Sequence, residues 1–173
     1  FAHHMTNHYR EAYNIFACCG ILFNHESPLR GIEFVTRRIT YHIARIKFGI
    51  DKSFSLGNIH AKRDWGFARD YVEAMWLMLQ QGNPDDYVIS TGESHSVEEF
   101  LSIATKVADL GDWHDFVQID EKNLRPTDIE ELLGDSSKAR KKLNWKPKVS
   151  FNELVEMMVK HDLEYFKEYY HLK

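Results

Sequence analysis

The sequence predicts an α/β protein, and three observations predict it. Short apolar runs, such as Ala17–Phe23 and Tyr87–Ser90, alternate with longer segments whose apolar residues recur every three or four positions. The first of these runs is continuously apolar, the pattern of a strand buried on both faces in a parallel sheet. Two Ser-x-x-Glu signals stand directly before helical periodicity, at Ser96–Glu99 and Ser150–Glu153.

The elements follow in order. Residues Ala2 to Phe16 carry Met5, Tyr9, Ala12, Tyr13 and Phe16 at helical spacing, with no capping residue ahead of them. That abrupt start leads to the expectation that sequence upstream of Phe1 is missing. After the Ala17–Phe23 strand comes a polar loop, Asn24 to Gly31. Phe34 to Phe48 reads as a helix through Val35, Ile39, Ile43 and Ile46, stopped by Gly49. Ser53 to Leu56 is a short strand and Lys62–Gly66 a charged loop. Phe67 to Gln81 is a helix with a predicted inner stripe of Ala68, Val72, Met75, Trp76 and Leu79, ended by Gly82 and Pro84. Tyr87–Ser90 is a strand, and the Ser96 capping box opens a helix to about Asp109. Phe116–Ile119 is a strand, Asn123–Gly134 a loop, and Ser136–Leu143 a short basic helix. The Ser150 capping box opens a last helix to about Tyr170, with Leu154, Met157, Met158, His161 and Tyr165 as its core stripe.

Composition narrows the function classes. The chain has 173 residues, 43% hydrophobic and 28% charged, so it has enough apolar residue to bury roughly 70% of its unfolded surface. A net charge of −4 gives no basic footprint for nucleic acid or an anionic membrane. No apolar run reaches the ~18 residues of a membrane span. The only cysteines, Cys18 and Cys19, are adjacent, which disfavours a disulfide between them and points to a reduced, cytoplasmic setting. His3 and His4 have no identifiable third and fourth ligands in the sequence, so no metal is expected.

No Gly-x-Gly-x-x-Gly fingerprint, phosphate loop or Gly-x-Ser-x-Gly elbow occurs, and no Tyr-x-x-x-Lys pair with a helix and strand around it that would suit a hydride-transfer base. Polar loops after apolar runs are what the chain offers instead, and in open α/β sheets the ligand crevice lies at the carboxyl ends of strands. Asn24, His25 and Arg30 follow the first run, Asn58, Lys62 and Arg63 the second, and Arg125 and Asp128 the last. Arginine's fork of donors suits a diphosphate, so Arg30, Arg38, Arg63 and Arg125 are candidates for an anion site. The plainer readings are that Arg37 and Arg38 form a solvated helix face and that Arg63–Asp64 is a surface ion pair worth ~0–1 kcal/mol. Trp65, Trp76 and Trp145 read as packing aromatics.

Taken together, REAYNIF (10–16), GILFNHESPLRG (20–31), FVTRRI (34–39), FSLGN (54–58), AKRDWGFARDYVEAMWLMLQ (61–80), STGESHSVEEF (90–100), RPTDIE (125–130) and LNWKP (143–147) carry a resemblance. The chain resembles the C-terminal half of the GDP-mannose 4,6-dehydratase family, within the extended short-chain dehydrogenase/reductase superfamily. The resemblance implies the C-terminal part of an NAD(P)-binding Rossmann-like fold joined to a smaller α/β substrate-binding lobe. Residues 1–24 and 67–91 are expected in the Rossmann part, and 25–66 and 92–173 in the substrate lobe. The catalytic residues are expected upstream of Phe1, none in this chain.

By position, the resemblance makes His25 and Arg30 contacts of an NADP cofactor, with His25 donating to a nicotinamide-side carbonyl. Asn24, Arg38, Arg63, Arg125 and Asp128 become contacts of the substrate GDP-mannose. It implies conversion to GDP-4-keto-6-deoxy-mannose by hydride transfer through NADP, with the chain's own N-terminal half and further copies (a dimer or tetramer) as partners. The competing readings are another nucleotide-sugar reductase or epimerase, and a non-catalytic GDP-sugar binding module.

Overall fold

The computed structural model describes residues 1–120 and 127–169. The chain falls into two compact units, each assembled from three separate stretches. The first comprises Phe1–His25, Asp64–Glu93 and Leu133–Val149. It begins with helix α1 (Ala2–Tyr13), ended by Asn14 in the left-handed conformation at φ 51°. No residue of α1 is buried. Arg10 ties the helix down through Nε to the carbonyl of Ala17 (2.6 Å) and Nη2 to Asp86 (2.5 Å).

Strand β1 (Cys19–Leu22) pairs in parallel with β6 (Asp86–Ile89), Cys19 opposite Asp86 and Leu22 opposite Ile89. The expectation of burial on both faces fails here. Cys18 and Leu22 pack on the core, whereas Ile21, on the opposite face of the pleat, is 46% exposed. Strand β2 (Asn24–Glu26) pairs with β5 (Trp65–Phe67), so the segment read as a charged loop contains two short strands, β4 (Lys62–Arg63) and β5.

Helix α3 (Ala68–Met78) corrects the predicted stripe. It buries Asp70, Tyr71, Ala74 and Met78, while Val72, Met75 and Leu79 are exposed and Trp76 is 61% exposed. The buried face of α3 meets Tyr87 and Ile89 of β6 together with Ala139, Leu143 and Trp145. Those last three belong to α5 (Ser137–Leu143) and the segment after it. The units therefore divide differently from the expected boundaries: residues 133–149 pack with the first unit, not with 92–132. Trp145 Nε1 donates to the Asp70 carbonyl at 2.8 Å, and the Asp70 carboxylate accepts from the amides of Lys148 (2.9 Å) and Val149 (3.2 Å). A buried carboxylate satisfied by main-chain donors in this way holds an otherwise irregular segment on the helix.

The second unit comprises Glu26–Arg63, Ser94–Leu132 and Ser150–Lys173. Its core lies between α2 (Val35–Lys47), α4 (Val97–Val107) and α6 (Phe151–Tyr169). Ile39 and Ile43 of α2, Phe100, Leu101 and Ala104 of α4, and Leu154, Val155, Met158, Val159 and Phe166 of α6 are fully or almost fully buried. Of the predicted α6 stripe, Leu154 and Met158 are buried and Tyr165 is exposed, because Val155, Val159, Asp162 and Phe166 take the inner face.

Both capping boxes form. Ser96 Oγ accepts from the Glu99 amide (3.0 Å) while Glu99 Oε2 accepts from the Ser96 amide (3.1 Å). At α6, Glu153 Oε2 accepts from the Ser150 amide at 2.8 Å and Ser150 Oγ from the Glu153 amide at 3.4 Å. Strand β3 (Phe54–Leu56) pairs in parallel with β8 (Val117–Ile119), which follows a 3₁₀ turn at Trp113–Asp115. A three-stranded sheet has β4 at its centre, antiparallel to β7 (His95–Ser96) and parallel to β9 (Glu131–Leu132).

Arg37 is not on a solvated face. Its Nη1 pairs with Asp162, whose carboxylate is 0% exposed, and its Nε donates to the Pro28 carbonyl at 3.0 Å. Burial pushes the Asp162 carboxyl above its ordinary value, opposed by the Thr40 hydroxyl and the Arg37 charge. No helix among the described residues is long and apolar enough to cross a membrane, and Cys18 and Cys19 are both free thiols.

Candidate functional site

In the second unit, the sheet centred on β4 presents Arg63 and Asp128 together. Arg63 Nη2 binds Asp128 Oδ1 at 2.8 Å, and its Nη1 donates to the carbonyls of Ile129 (2.7 Å) and Lys62 (2.8 Å). Asn58 Nδ2 donates to the other Asp128 oxygen at 3.1 Å. The Arg63–Asp128 pair is largely shielded from water, with side chains 15% and 22% exposed, so its attraction is weakly screened. The result is a guanidinium held in one orientation beside a carboxylate that can only accept. Such a pairing suits a ligand carrying both an anion and hydroxyl groups. The paired acid is Asp128 rather than Asp64, which corrects the reading of Arg63–Asp64 as a surface ion pair.

The loop before α2 organises a second cation in the same unit. Glu26 is buried; it accepts from Thr36 Oγ1 at 2.6 Å and pairs with Arg30 Nε at 3.3 Å. The Arg30 guanidinium lies over the Phe34 ring, 3.5 Å from its centre. Phe34 is the N-cap of α2 and stands one turn before Arg38, on the same side of the helix. Arg38 is half-buried and makes no side-chain hydrogen bond or ion pair among the described residues. Arg125 lies outside the described residues.

In the first unit, Asn24 and His25 sit at the start of β2, immediately after Phe23. The His25 ring packs against Tyr71, with centres 5.4 Å apart. Its Nδ1 meets the Phe23 carbonyl at 2.9 Å. A carbonyl only accepts, so Nδ1 donates to it.

Asp64 was missed from sequence. Its carboxylate, 0% exposed, accepts from the Thr91 amide (2.8 Å), Thr91 Oγ1 (2.7 Å), the Gly92 amide (2.9 Å) and the Gly134 amide (3.3 Å). Its partners lie 27 to 70 positions away, where no local pattern reveals them. A metal-type grouping also emerges in the first unit, since the ligand atoms of His3, Cys19 and Asp86 lie within 4.8 Å of one another. Its carboxylate is already engaged by Arg10, the Cys19 amide and His3. Burial alone would raise the Asp86 carboxyl, but those hydrogen bonds hold it down at about 2.

Among solved structures, RMD from Pseudomonas aeruginosa complexed with NADPH superposes with a TM-score of 0.86 at 18% identity, over 95% of this chain and 54% of that one. The UDP-glucose 4-epimerase of Thermus thermophilus, solved with NAD, gives 0.79 at 22% identity over 92% of this chain and 50% of that one. At such identities the likeness is one of fold. In sequence, GDP-mannose 4,6 dehydratase 1 of Arabidopsis thaliana is 59% identical over 166 residues, covering 96% of this chain and 46% of the relative. The Homo sapiens GDP-mannose 4,6 dehydratase is 50% identical over 182 residues, covering 95% and 48%. The chain thus spans about half the length of the curated relatives it matches. The family model described as GDP-mannose 4,6 dehydratase matches residues 1–158, and the chain belongs to that family.

Proposed function

We propose that this chain is the substrate-binding half of a GDP-mannose 4,6-dehydratase that uses NADP. The observation that carries the reading is the Arg63–Asp128–Asn58 cluster, in a chain 59% identical to a protein of that name. The guanidinium of Arg63 is oriented for a diphosphate, and Asp128 offers acceptor oxygens to a ribose hydroxyl. Arg38 and Arg125 supply further positive charge to the diphosphate, and Asn24 is assigned to it as well. His25 and Arg30 serve the cofactor, Arg30 through its planar fork and His25 as a donor to a nicotinamide-side carbonyl. These side chains bind and orient.

The reaction of the whole protein is internal hydride transfer. Held against His25 and Arg30, NADP would supply hydride chemistry: C4 would give up hydride and O4 its proton, the C5 proton and the C6 hydroxyl would leave as water, and hydride returning to C6 with a proton to C5 would give GDP-4-keto-6-deoxy-mannose. The catalytic acid, base and dinucleotide loop are assigned to an N-terminal half, the natural partner of this chain, and the complete protein to a cytoplasmic homo-oligomer. The test is coexpression with the N-terminal half of the Arabidopsis relative, followed by GDP-mannose turnover with NADP present. The pair is expected to form the 4-keto product and either half alone to form none. A soluble, co-purifying pair that binds NADP and turns over no GDP-mannose contradicts the reading.

A further inference from the structure

Helix α1 buries no residue, so its hold on the first unit is polar. His3 and Arg10 stand two turns apart on one face of that helix, and both converge on the carboxylate of Asp86. In the parallel pairing of β1 with β6, Cys19 lies opposite Asp86. Their neighbours Cys18 and Tyr87 turn into the core of the unit. The pleat therefore sends Cys19 and Asp86 out side by side on the other face of the strands. His3 Nε2, Cys19 Sγ and an Asp86 oxygen lie within 4.8 Å of one another, and among the described residues no other three His, Cys, Asp or Glu side chains converge in this way. All three belong to the first unit. The ligands that the sequence does not reveal for His3 are thus brought to it by the fold.

The two oxygens of Asp86 are used differently. Oδ1 accepts from Arg10 Nη2 at 2.5 Å and from the Cys19 amide at 3.1 Å, while Oδ2 faces His3 Nε2 at 3.0 Å. A carboxylate only accepts, so the hydrogen of that last contact sits on Nε2; the ring can carry it on Nδ1 instead and turn the Nε2 lone pair inward. A metal ion then takes the place of one hydrogen, and the two donors on Oδ1 remain to orient the carboxylate, as outer partners do at metal sites. Imidazole nitrogen, thiolate and carboxylate are together a donor set of zinc. Zinc bonds of about 2.0–2.3 Å hold tetrahedral ligand atoms roughly 3.3–3.6 Å apart, so the shell closes with side-chain shifts of roughly 1 Å. The His3 side chain is 46% exposed, which leaves an entry path and a fourth position for water. Thiolate and carboxylate balance the two charges of the ion.

We propose that His3, Cys19 and Asp86 form a zinc site that pins α1 to the β1–β6 strands. On binding, the Cys19 thiol gives its proton to solvent and the sulfur bonds the metal. The site uses none of the residues assigned to NADP or GDP-mannose, so it stands or falls independently of that reading. The rival ligands on the same helix are His4 and His8, four positions apart and therefore on one face.

The experiment titrates cobalt, and then zinc, into the reduced, metal-free chain. It repeats this for His3→Gln, Cys19→Ser, Cys18→Ser and the double variant His4→Gln with His8→Gln. His3 is exposed, so His3→Gln keeps the fold, which circular dichroism checks. Wild type is expected to bind one cobalt with a thiolate-to-cobalt charge-transfer band that zinc abolishes, releasing a proton as it binds. Losing an outer partner typically costs about 10–100-fold in metal affinity; losing a ligand, in His3→Gln or Cys19→Ser, should weaken zinc binding by at least about 100-fold. Cys18→Ser and the His4/His8 variant should match wild type. Zinc should also slow exchange of the Met5 amide, bonded to the Phe1 carbonyl at 3.1 Å, by about tenfold or more, with the buried Ala74 of α3 as reference. No charge-transfer band, a band lost in Cys18→Ser, or zinc affinity that survives His3→Gln overturns the proposal, as does affinity lost in the His4/His8 variant, which would mean an adventitious ion only. Zinc bound by these ligands without any slowing at Met5 overturns the pinning of α1.

Discussion

Removing Asp162 tests the buried electrostatics of the second unit. In Asp162→Ala, the Arg37 guanidinium keeps only the Pro28 carbonyl at 3.0 Å as an acceptor, on a side chain 13% exposed. A buried charge stripped of its partner costs about 3–5 kcal/mol. Against a total stability of about 5–15 kcal/mol, that is a large share. For a chain of this size it lowers the thermal midpoint by roughly 6–20 °C, at about 2–4 °C per kcal/mol. The double variant Arg37→Met with Asp162→Leu removes both charges and refills the volume, so it should recover most of the loss, with a coupling of at least about 2 kcal/mol. Urea melts of Arg37→Met, Asp162→Leu and the double at pH 7 supply the cycle. A cost below about 1 kcal/mol for Asp162→Ala, or a double variant as damaged as the sum of its singles, refutes the view that the pair is sequestered from water.

Two further predictions concern other charges and a cap. The Arg45 guanidinium hydrogen-bonds Asp51 and, against the cost of partial burial and with help from His42, holds its carboxyl down at about 2. An acid lowered in the folded state stabilises above its ordinary value near 3.8 and loses that contribution as pH falls towards 2. Asp51→Asn should therefore flatten the decline of stability between about pH 4 and pH 2, and a variant as acid-sensitive as wild type would contradict the sign. Ser96→Ala removes the side-chain half of the α4 capping box and should cost about 1 kcal/mol in chemical melts, whereas no measurable change would mean the Glu99 carboxylate caps the helix alone.

How far the sequence could be read depended on the range of the interactions. Helix starts were legible because a capping box is local: Ser96 with Glu99 and Ser150 with Glu153 form as their spacing predicts. The buried face of α3 was not. Val72, Met75, Trp76 and Leu79 repeat at helical spacing as well as Tyr71, Ala74 and Met78 do, and only contacts with β6, Leu143 and Trp145 choose between the two faces. The Lys62–Gly66 stretch looked like a loop because it is charged and its strands are two and three residues long, too short for periodicity to register. Within the candidate site, Arg63 and Asp128 were visible as polar residues after apolar runs. That they bind each other, and that Asp64 is turned inward onto main-chain amides, follows from partners far along the chain.

The most direct measurement is GDP titrated calorimetrically into the chain coexpressed with its N-terminal half, comparing wild type with Arg63→Lys. Lysine keeps the charge but cannot reach Asp128 and the Ile129 carbonyl with one planar fork. Wild type is predicted to bind GDP with a dissociation constant on the order of micromolar, and Arg63→Lys to weaken it about tenfold or more. Equal affinity in the two proteins would contradict the assignment of Arg63 to the substrate diphosphate and, with it, the reading of the second unit as the nucleotide-sugar lobe.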